Sequence, residues 1–237
     1  MGIEIRRVTD ATELMAVYHQ RYDVYVEELK YPQRYADHSQ RTVIEPLDET
    51  GHILGAFDRG VLVGSVRINY GSEAAFGHYS ELYDMRRFGR YFPGRLSTCT
   101  KFIITRPYRF GTLMTKLSNA SYKYSPLHEA GNAFNLIDSK PPLDTYFRRM
   151  GYRQIKPSIL HPEAGLVIPL VLPIFDKQYL TAIGSPFCRL LPQKRDDDSV
   201  RWFYQTFLNE LTQYDANAVL TWTVSSSFSE NHIVTSL

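Results

Sequence analysis

The stretch TKFIITRPYRFGTLMTKL, residues 100–117, decides how this chain folds. Phe102 to Thr105 favour a strand. Arg106, Pro107, Arg109 and Gly111 break it, and a helical pattern follows. The first N–H groups of a helix are unpaired, and the helix dipole favours an anion beside them. Arg106 and Arg109 add positive charge, and Gly111 admits a close approach. Such a turn would hold a phosphate or pyrophosphate. An ordinary strand-to-helix connection with two solvated arginines fits the same residues, so the surrounding chain has to decide.

Downstream, Arg109 opens a helix with Leu113, Leu117, Ala120 and Tyr124 on one face. NAFNLI (132–137) reads as a strand, Leu143 to Met150 as a short helix ended by Gly151, and residues 165–174 as a further strand. Upstream, residues 3–8 read as a strand. Asp10 followed by Glu13 marks a capping-box-like helix start. Leu14, Tyr18, Arg21 and Tyr25 share one helix face, so Arg21 either pairs or sends its head out to solvent. Residues 30–47 read as a long loop. Residues 52–70 read as two strands joined at FDRG, with Leu62, Val66 and Ile68 on one face and Val63, Ser65, Arg67 and Asn69 on the other. Residues 72–96 are irregular, with a short helix near Glu81 to Phe88, and Leu96 to Thr105 is the strand of the opening stretch. The order β, α, two antiparallel strands, βα, βα, β predicts a mixed α/β sheet in one domain. Beyond it a charged run, QKRDDDS, leads through Ser199 into a helix with Val200, Phe203, Phe207 and Leu211 on one face. Residues 224–237 read as a frayed tail.

The 237 residues are 43% apolar and 22% charged, with a net charge of +2. That is an ordinary globular composition, without the charge that draws nucleic acid or a membrane surface. No apolar run reaches the roughly 20 residues that span a bilayer. No apolar core follows the N-terminal arginines, and Arg6 stands where a myristoylation motif needs Ser or Thr. Two cysteines make no disulfide framework, and a cytoplasmic protein is expected. No histidine or cysteine spacing suggests a metal site, and no G-x-S-x-G, Walker A or G-x-G-x-x-G motif occurs. Tyrosine is abundant, with 17 residues, which suits a pocket needing apolar bodies with hydroxyl handles.

A strand, a basic turn, a helix, a strand and then LDTYFRRMGYR (143–153) resemble the second half of the GNAT acyltransferase fold, with one glycine of its turn kept in RFGTL. Five further stretches, over roughly residues 5–187, resemble acyl-homoserine-lactone synthases and the related FeeM-type N-acyl amino acid synthases. They are Arg21 with Tyr25 and Tyr31; Glu45 and Asp48 ahead of His52; Arg67 in GSVRI; TKFII, which places Lys101 and Phe102; and HPEAGLVIPLVLPIFDKQYLTAIGSPF (161–187). Two positions depart from the patterns. Thr98 stands where lactone synthases carry a glutamate, and Phe147 where GNAT enzymes often carry a tyrosine acid, with Tyr146 beside it.

The resemblance implies a GNAT N-acyltransferase domain over 1–187, with splayed parallel strands near 99–105 and 132–137, and a helical extension with a tail over 188–237. It implies direct transfer of a fatty acyl group from a phosphopantetheine thioester to an amine, with no permanently bound cofactor. The donor would be acyl carrier protein or acyl-CoA, held by Phe102, Ile103, Ile104, Arg106, Arg109, Phe110, Gly111 and Thr112. A backbone N–H near Phe102 to Ile104 would polarise the thioester carbonyl. Arg21, Asp48, Arg67, Thr98 and Lys101 are the catalytic candidates, and Tyr25, Tyr31, Glu45 and Tyr146 the substrate-binding ones. Arg21, Arg67 or Lys101 would take an amino acid's carboxylate, which suits an amino acid or similar small amine as acceptor. Asp48, Glu45, His161 through water, or solvent would take the proton. An acidic carrier protein would dock on Arg86, Arg87, Arg90 and Arg95, or on Arg148, Arg149 and Arg153. An acetyl-CoA-dependent GNAT enzyme and an inactive GNAT-like binding module are the alternatives.

Overall fold

The computed structural model describes residues 2–109, 111–127, 131–141, 143–191 and 195–215. Phe110 and the residues read as a tail lie outside them. The strands are β1 (Glu4–Arg7), β2 (Ala36–Asp37), β3 (Thr42–Val43), β4 (His52–Asp58), β5 (Val61–Tyr70), β6 (Leu96–Ile104), β7 (Phe134–Ser139), β8 (Ile159–His161) and β9 (Gly165–Pro173). The α-helices are α1 (Ala11–Arg21), α2 (Tyr79–Leu82), α3 (Leu113–Leu127), α4 (Leu143–Met150), α5 (Lys177–Ala182) and α6 (Asp197–Tyr214). Seven strands form one sheet in the order β1-β4-β5-β6-β7-β9-β8, and β2 and β3 form a separate hairpin. Only β6 and β7 run parallel; the other neighbours are antiparallel. Among the described residues no helix is long and apolar enough to cross a membrane.

Local chemistry explains the element ends. Asp10 accepts hydrogen bonds from the Thr12 and Glu13 amides at 2.9 and 3.1 Å and starts α1. Glu13 does not close a capping box; it makes a two-pronged pair with Arg6 of β1 at 2.7 and 2.5 Å. After Arg21 the helix widens into a π-helical segment, Tyr22–Glu28, which carries Tyr25. Between β4 and β5, Arg59 and Gly60 both take positive φ, the geometry of a tight hairpin turn. A bulge in β5 then corrects the expected faces. Phe57 pairs with Leu62 and Ala56 with Gly64, so Leu62 falls on the opposite face from Val66 and Ile68.

One face of the sheet carries Ile53, Arg67, Leu136 and Val171, and α1, α2 and α6 cover it. Ile53 packs with Val17, and Leu136 and Val171 with Phe203, Phe207 and Leu211. The helix beyond Ser199 therefore belongs to the core, and its N-cap is Asp196, which accepts from the Ser199 amide. The other face carries Leu54, Cys99, Ile137 and Leu172, covered by α3, α4 and α5. Helix α3 begins at Leu113, after a single 3-10 turn at Arg106–Tyr108, so Arg109 precedes it instead of opening it. Leu113 and Leu117 are buried on its expected inner face.

Candidate active site

The two parallel strands part. Strand β6 pairs with β7 only from Leu96 to Thr98. Beyond Thr98, among the described residues, its edge toward β7 has no strand partner. A cavity of about 670 Å³ fills the gap. A bulge sits at its edge: Ser65 pairs with Ile103 and Arg67 with Thr100, so Lys101 and Phe102 together face Val66. Lys101 takes φ of +53°, in the left-handed region. That costs a lysine on the order of 1–3 kcal/mol and is held only where the surroundings impose it. The bulge sends Lys101 to the α1 face, against Glu45, and Phe102 to the α3 face, against Phe147. The cavity therefore has two lobes, one on each face of the sheet.

The lobe on the α1 face rests on a chain of buried ions. Arg21 pairs with Asp48 at 2.7 Å, and Asp48 with Arg67 at 3.1 Å. Arg67 pairs with Glu45 at 2.8 Å, Glu45 with Lys101 at 2.5 Å, and Lys101 lies 3.6 Å from Glu163. Three cations meet three carboxylates, so the buried charge is balanced. Arg21 is therefore paired, with its side chain only 1% exposed. Burial opposes the charges of Glu45 and Asp48, yet Lys101 and Arg67 hold the pKa of Glu45 below its ordinary value, and Arg21 does the same for Asp48. Burial likewise opposes the Arg67 charge, and Glu45 and Asp48 outweigh it. Gly51 closes over this chain: a Cβ there would lie 2.8 Å from the Arg67 stem. Above it stand Tyr25 and Tyr31, stacked with centroids 6.4 Å apart. Lys101 lies 5.1 Å from the Tyr25 ring centre, and Lys140 donates to the Tyr31 hydroxyl at 2.7 Å. His161 lines this lobe, and its Nδ1 accepts from the Glu163 and Ala164 amides. The proton of the neutral ring then sits on Nε2, which makes His161 a donor and removes it from the candidate bases.

The lobe on the α3 face is apolar. Met114, Ile137, Phe147, Tyr152 and Phe187 line it, and the small Ser118 and Ser121 of α3 leave it room. Phe187 closes it in a 4.2 Å stack on Tyr122. Cys99 lines the same lobe; burial pushes its thiol pKa up to about 12, so it stays protonated. Tyr146 stays off the wall: its hydroxyl donates to Ser118 at 3.1 Å, and its neighbour Phe147 takes the lining position. Thr98 lies where the sheet is still closed, fully buried, and does not line the cavity.

At the outer end, Arg109 lines the cavity, donates to the Ile104 carbonyl at 2.8 Å and forks onto Glu28. Arg106, Gly111 and Thr112 are exposed beside it. Gly111 has an ordinary φ, and a Cβ would meet nothing nearer than 3.7 Å, so the fold itself does not require glycine there. Of the arginines expected to receive a carrier protein, Arg148 and Arg149 stand on α4 beside the cavity-lining Phe147, and the others lie elsewhere. Arg86 to Arg95 precede β6, and Phe88 packs on Phe134 at the start of β7. They stand at the opposite end of β6 from the basic turn, about 26 Å away at roughly 3.3 Å per strand residue. Arg153 is wholly buried, paired with Asp176 at 2.7 Å and stacked 3.4 Å from the Tyr179 ring centre, so it cannot dock anything.

The sequence reading passed over Asp138, Lys140 and Glu163, and named none of Tyr79, Ser121 and Phe187. Asp138 and Lys140 had a signal. They are polar residues at the carboxyl end of a parallel strand, where α/β sheets place their ligands. Glu163 sits in the β8–β9 turn, outside any periodic pattern.

Comparison with known proteins agrees with this geometry. The family model of N-acyl amino acid synthase FeeM matches residues 16–173. The structure of FeeM, from uncultured soil microbes, superposes with a TM-score of 0.61 at 17% identity, over 81% of this chain and 99% of that one. BjaI, a CoA-dependent acyl-homoserine lactone synthase solved with SAM and isopentyl-CoA, gives 0.61 at 18%, over 84% and 98%. An acyl-CoA N-acyltransferase from Pseudomonas aeruginosa gives 0.54 at 16%, over 73% and 99%. No curated protein matches the sequence. A mixed seven-stranded sheet, parting between its two parallel strands and shared with GNAT-like acyltransferases, joins a family match over two thirds of the chain: this protein belongs to the FeeM N-acyl amino acid synthase family and is an N-acyltransferase.

Proposed function

We propose that this protein moves a fatty acyl group from a phosphopantetheine thioester, on acyl carrier protein or coenzyme A, to the amine of an amino acid. The two-lobed cavity carries this reading. An apolar lobe suits a fatty chain and a polar lobe suits a charged acceptor, and the parted β6 edge lies between them. Its volume, about 670 Å³, falls in the usual range of roughly 300–1,000 Å³ for small-molecule sites. An acetyl group would leave the lobe lined by Ile137, Tyr152 and Phe187 unfilled, which weighs against acetyl-CoA as donor.

The acyl carbonyl rests at the Lys101–Phe102 bulge, where a backbone N–H of the unpaired edge polarises it. The amine attacks directly. A covalent intermediate on Cys99 is disfavoured, since a thiol held protonated is a poor nucleophile. The C–N bond forms as the C–S bond breaks. A thiol of pKa about 8.5 leaves readily, so a phenylalanine at 147 is no obstacle. Glu45 and Asp48, each held by two cations, frame the site and do not shuttle protons. Lys101 positions the bulge, and Tyr25 and Tyr31 wall the acceptor lobe. Arg106 and the start of α3 meet the donor's phosphate.

The test is mass spectrometry of lipid extracts from bacteria expressing the protein against a vector control, repeated in vitro with decanoyl-CoA and decanoyl-acyl carrier protein. N-acyl amino acids that depend on the protein are expected, and the faster donor names the carrier. Folded protein that forms no N-acyl product with either donor would overturn the reading.

A further inference from the structure

We infer that Asp138 and Lys140, at the end of β7, form the dock for the acceptor's two charges, Asp138 for its ammonium and Lys140 for its carboxylate. The inference rests on the acyl-transfer reading and adds to it the residues that select an amino acid over a plain amine. Charge accounting around the cavity leads there. Three described lysines and arginines line it: Lys101, Arg109 and Lys140. Lys101 is engaged by Glu45 and Arg109 by Glu28. Among the described residues Lys140 has no carboxylate partner; its ammonium meets only the Tyr31 hydroxyl at 2.7 Å and the Tyr31 ring at 4.2 Å. Asp138 lines the cavity as well. It has no cationic partner among the described residues and accepts one hydrogen bond, from the Tyr83 hydroxyl at 2.9 Å, through Oδ1. One open anion and one open cation thus border the same lobe.

Their placement suits a zwitterion. Asp138 lies on β7 and Lys140 one residue past its end, about 6.6 Å on at 3.3 Å per residue of extended chain. Among the described residues the two side chains do not pair with each other, and an α-amino acid placed between them presents an ammonium and a carboxylate to one each. Counting on from the Thr98–Leu136 pair, Asp138 stands level with Thr100, one residue before the bulge. An ammonium held by Asp138 therefore faces the site of the thioester carbonyl. Asp138 lines the cavity together with Tyr25 and Tyr79, whose phenols burial raises first and this carboxylate raises further. In the transfer two protons leave the nitrogen. Asp138 passes one to solvent as the C–N bond forms, and the other ends on the departing thiolate, giving amide and thiol.

The experiment compares kcat/KM for the twenty amino acids with their decarboxylated amines, using decanoyl-CoA and decanoyl-acyl carrier protein, in wild type, Lys140→Met, Lys140→Gln, Lys140→Arg and Asp138→Asn. Thermal melting of each variant checks folding. A charge-assisted contact of this kind corresponds to roughly ten- to hundredfold in rate. Wild type should prefer the amino acid to its matched amine by at least that factor. Lys140→Met and Lys140→Gln should abolish the preference, mostly through KM, and Lys140→Arg should restore most of it. Asp138→Asn should lower kcat/KM for amino acid and amine alike, since both carry the ammonium. An undiminished preference in folded Lys140→Gln would overturn the dock while leaving acyl transfer standing. A wild type that acylates no acceptor would overturn both.

Discussion

Arg67 and Lys140 are both cations on the α1 face of the sheet, in opposite electrostatic surroundings. Arg67 is wholly buried and held by Glu45 and Asp48, in the middle of a chain of three cations and three carboxylates. Lys140 is half-buried at a strand end and has a hydroxyl and a ring for company. A charge whose counter-ion is already present in the fold serves architecture, and a charge that lacks one is available to a ligand. The largest expected effect follows from the first half of that contrast. Arg67→Ala leaves Glu45 with Lys101 alone and Asp48 with Arg21 alone, so the buried set is one positive charge short, and breaking such a set costs about 3–5 kcal/mol. Urea unfolding should show that loss, with Lys140→Gln close to wild type. An Arg67→Ala protein as stable as wild type would break the contrast at its root. For the same reason, lost activity in Arg67→Ala would say little about chemistry.

The same chain sets an acid limit. The folded pKa values of Glu45 and Asp48 lie below their ordinary values of 4.5 and 3.8. Their ion pairs therefore contribute fully above the unfolded carboxylate range and are lost as pH falls through the lower folded values. Unfolding free energy should hold level between about pH 7 and 5 with respect to these groups and fall below about pH 4. Glu45→Gln, less stable at neutral pH, should show a shallower acid fall. An equally steep fall in the variant would assign the acid limit to other carboxylates.

The sequence made the frame of this molecule legible and the open charges much less so. The strand-turn-helix at 100–117, the hairpin at 52–70, α4 and the apolar face of α6 follow from period and turn chemistry, which act over a few residues. Arg21 on an apolar helix face was a readable anomaly, and Asp48 resolves it. The bulges were not readable. One extra residue in β5, beside Gly64, moves Leu62 to the other face, and one in β6 gives Lys101 a left-handed φ with no glycine to announce it. Where an arginine's partner lies is also a tertiary fact. Arg153 and Arg90 look alike in sequence, yet one is wholly buried against Asp176 and the other exposed. Asp138 and Lys140 stood at a strand end where ligands are expected, but their lack of counter-ions shows only once every other charge has been placed.

A third test sharpens the contrast between the lobes. Ser121 faces the apolar lobe from α3, with its hydroxyl turned back onto the Leu117 carbonyl at 2.9 Å. Ser121→Phe would fill open space without displacing a packed neighbour. One methylene in an apolar pocket is worth about 1–3 kcal/mol, so preference should move toward shorter acyl donors by at least roughly tenfold. Competition between octanoyl and hexadecanoyl donors would read the shift. An unmoved chain-length preference would take the fatty chain out of this lobe.

The smallest effect belongs to the turn of the opening stretch. Arg109 is engaged by Glu28 and the Ile104 carbonyl, so its removal mixes structure with binding. Arg106 is exposed one turn earlier, and its substitution should change stability by no more than about 0.5 kcal/mol. A single exposed charge near a helix start is worth about 0.3–1 kcal/mol toward an anion, a two- to fivefold rise in donor KM in Arg106→Ala. That rise should shrink as salt increases, since the Debye length falls to about 3 Å at 1 M. A KM change confined to acyl-CoA would assign the turn to the nucleotide phosphates, and one shared with acyl carrier protein to the phosphopantetheine common to both. No change with either donor would make the turn a plain connection, and the site would then consist of the bulge and its two lobes alone.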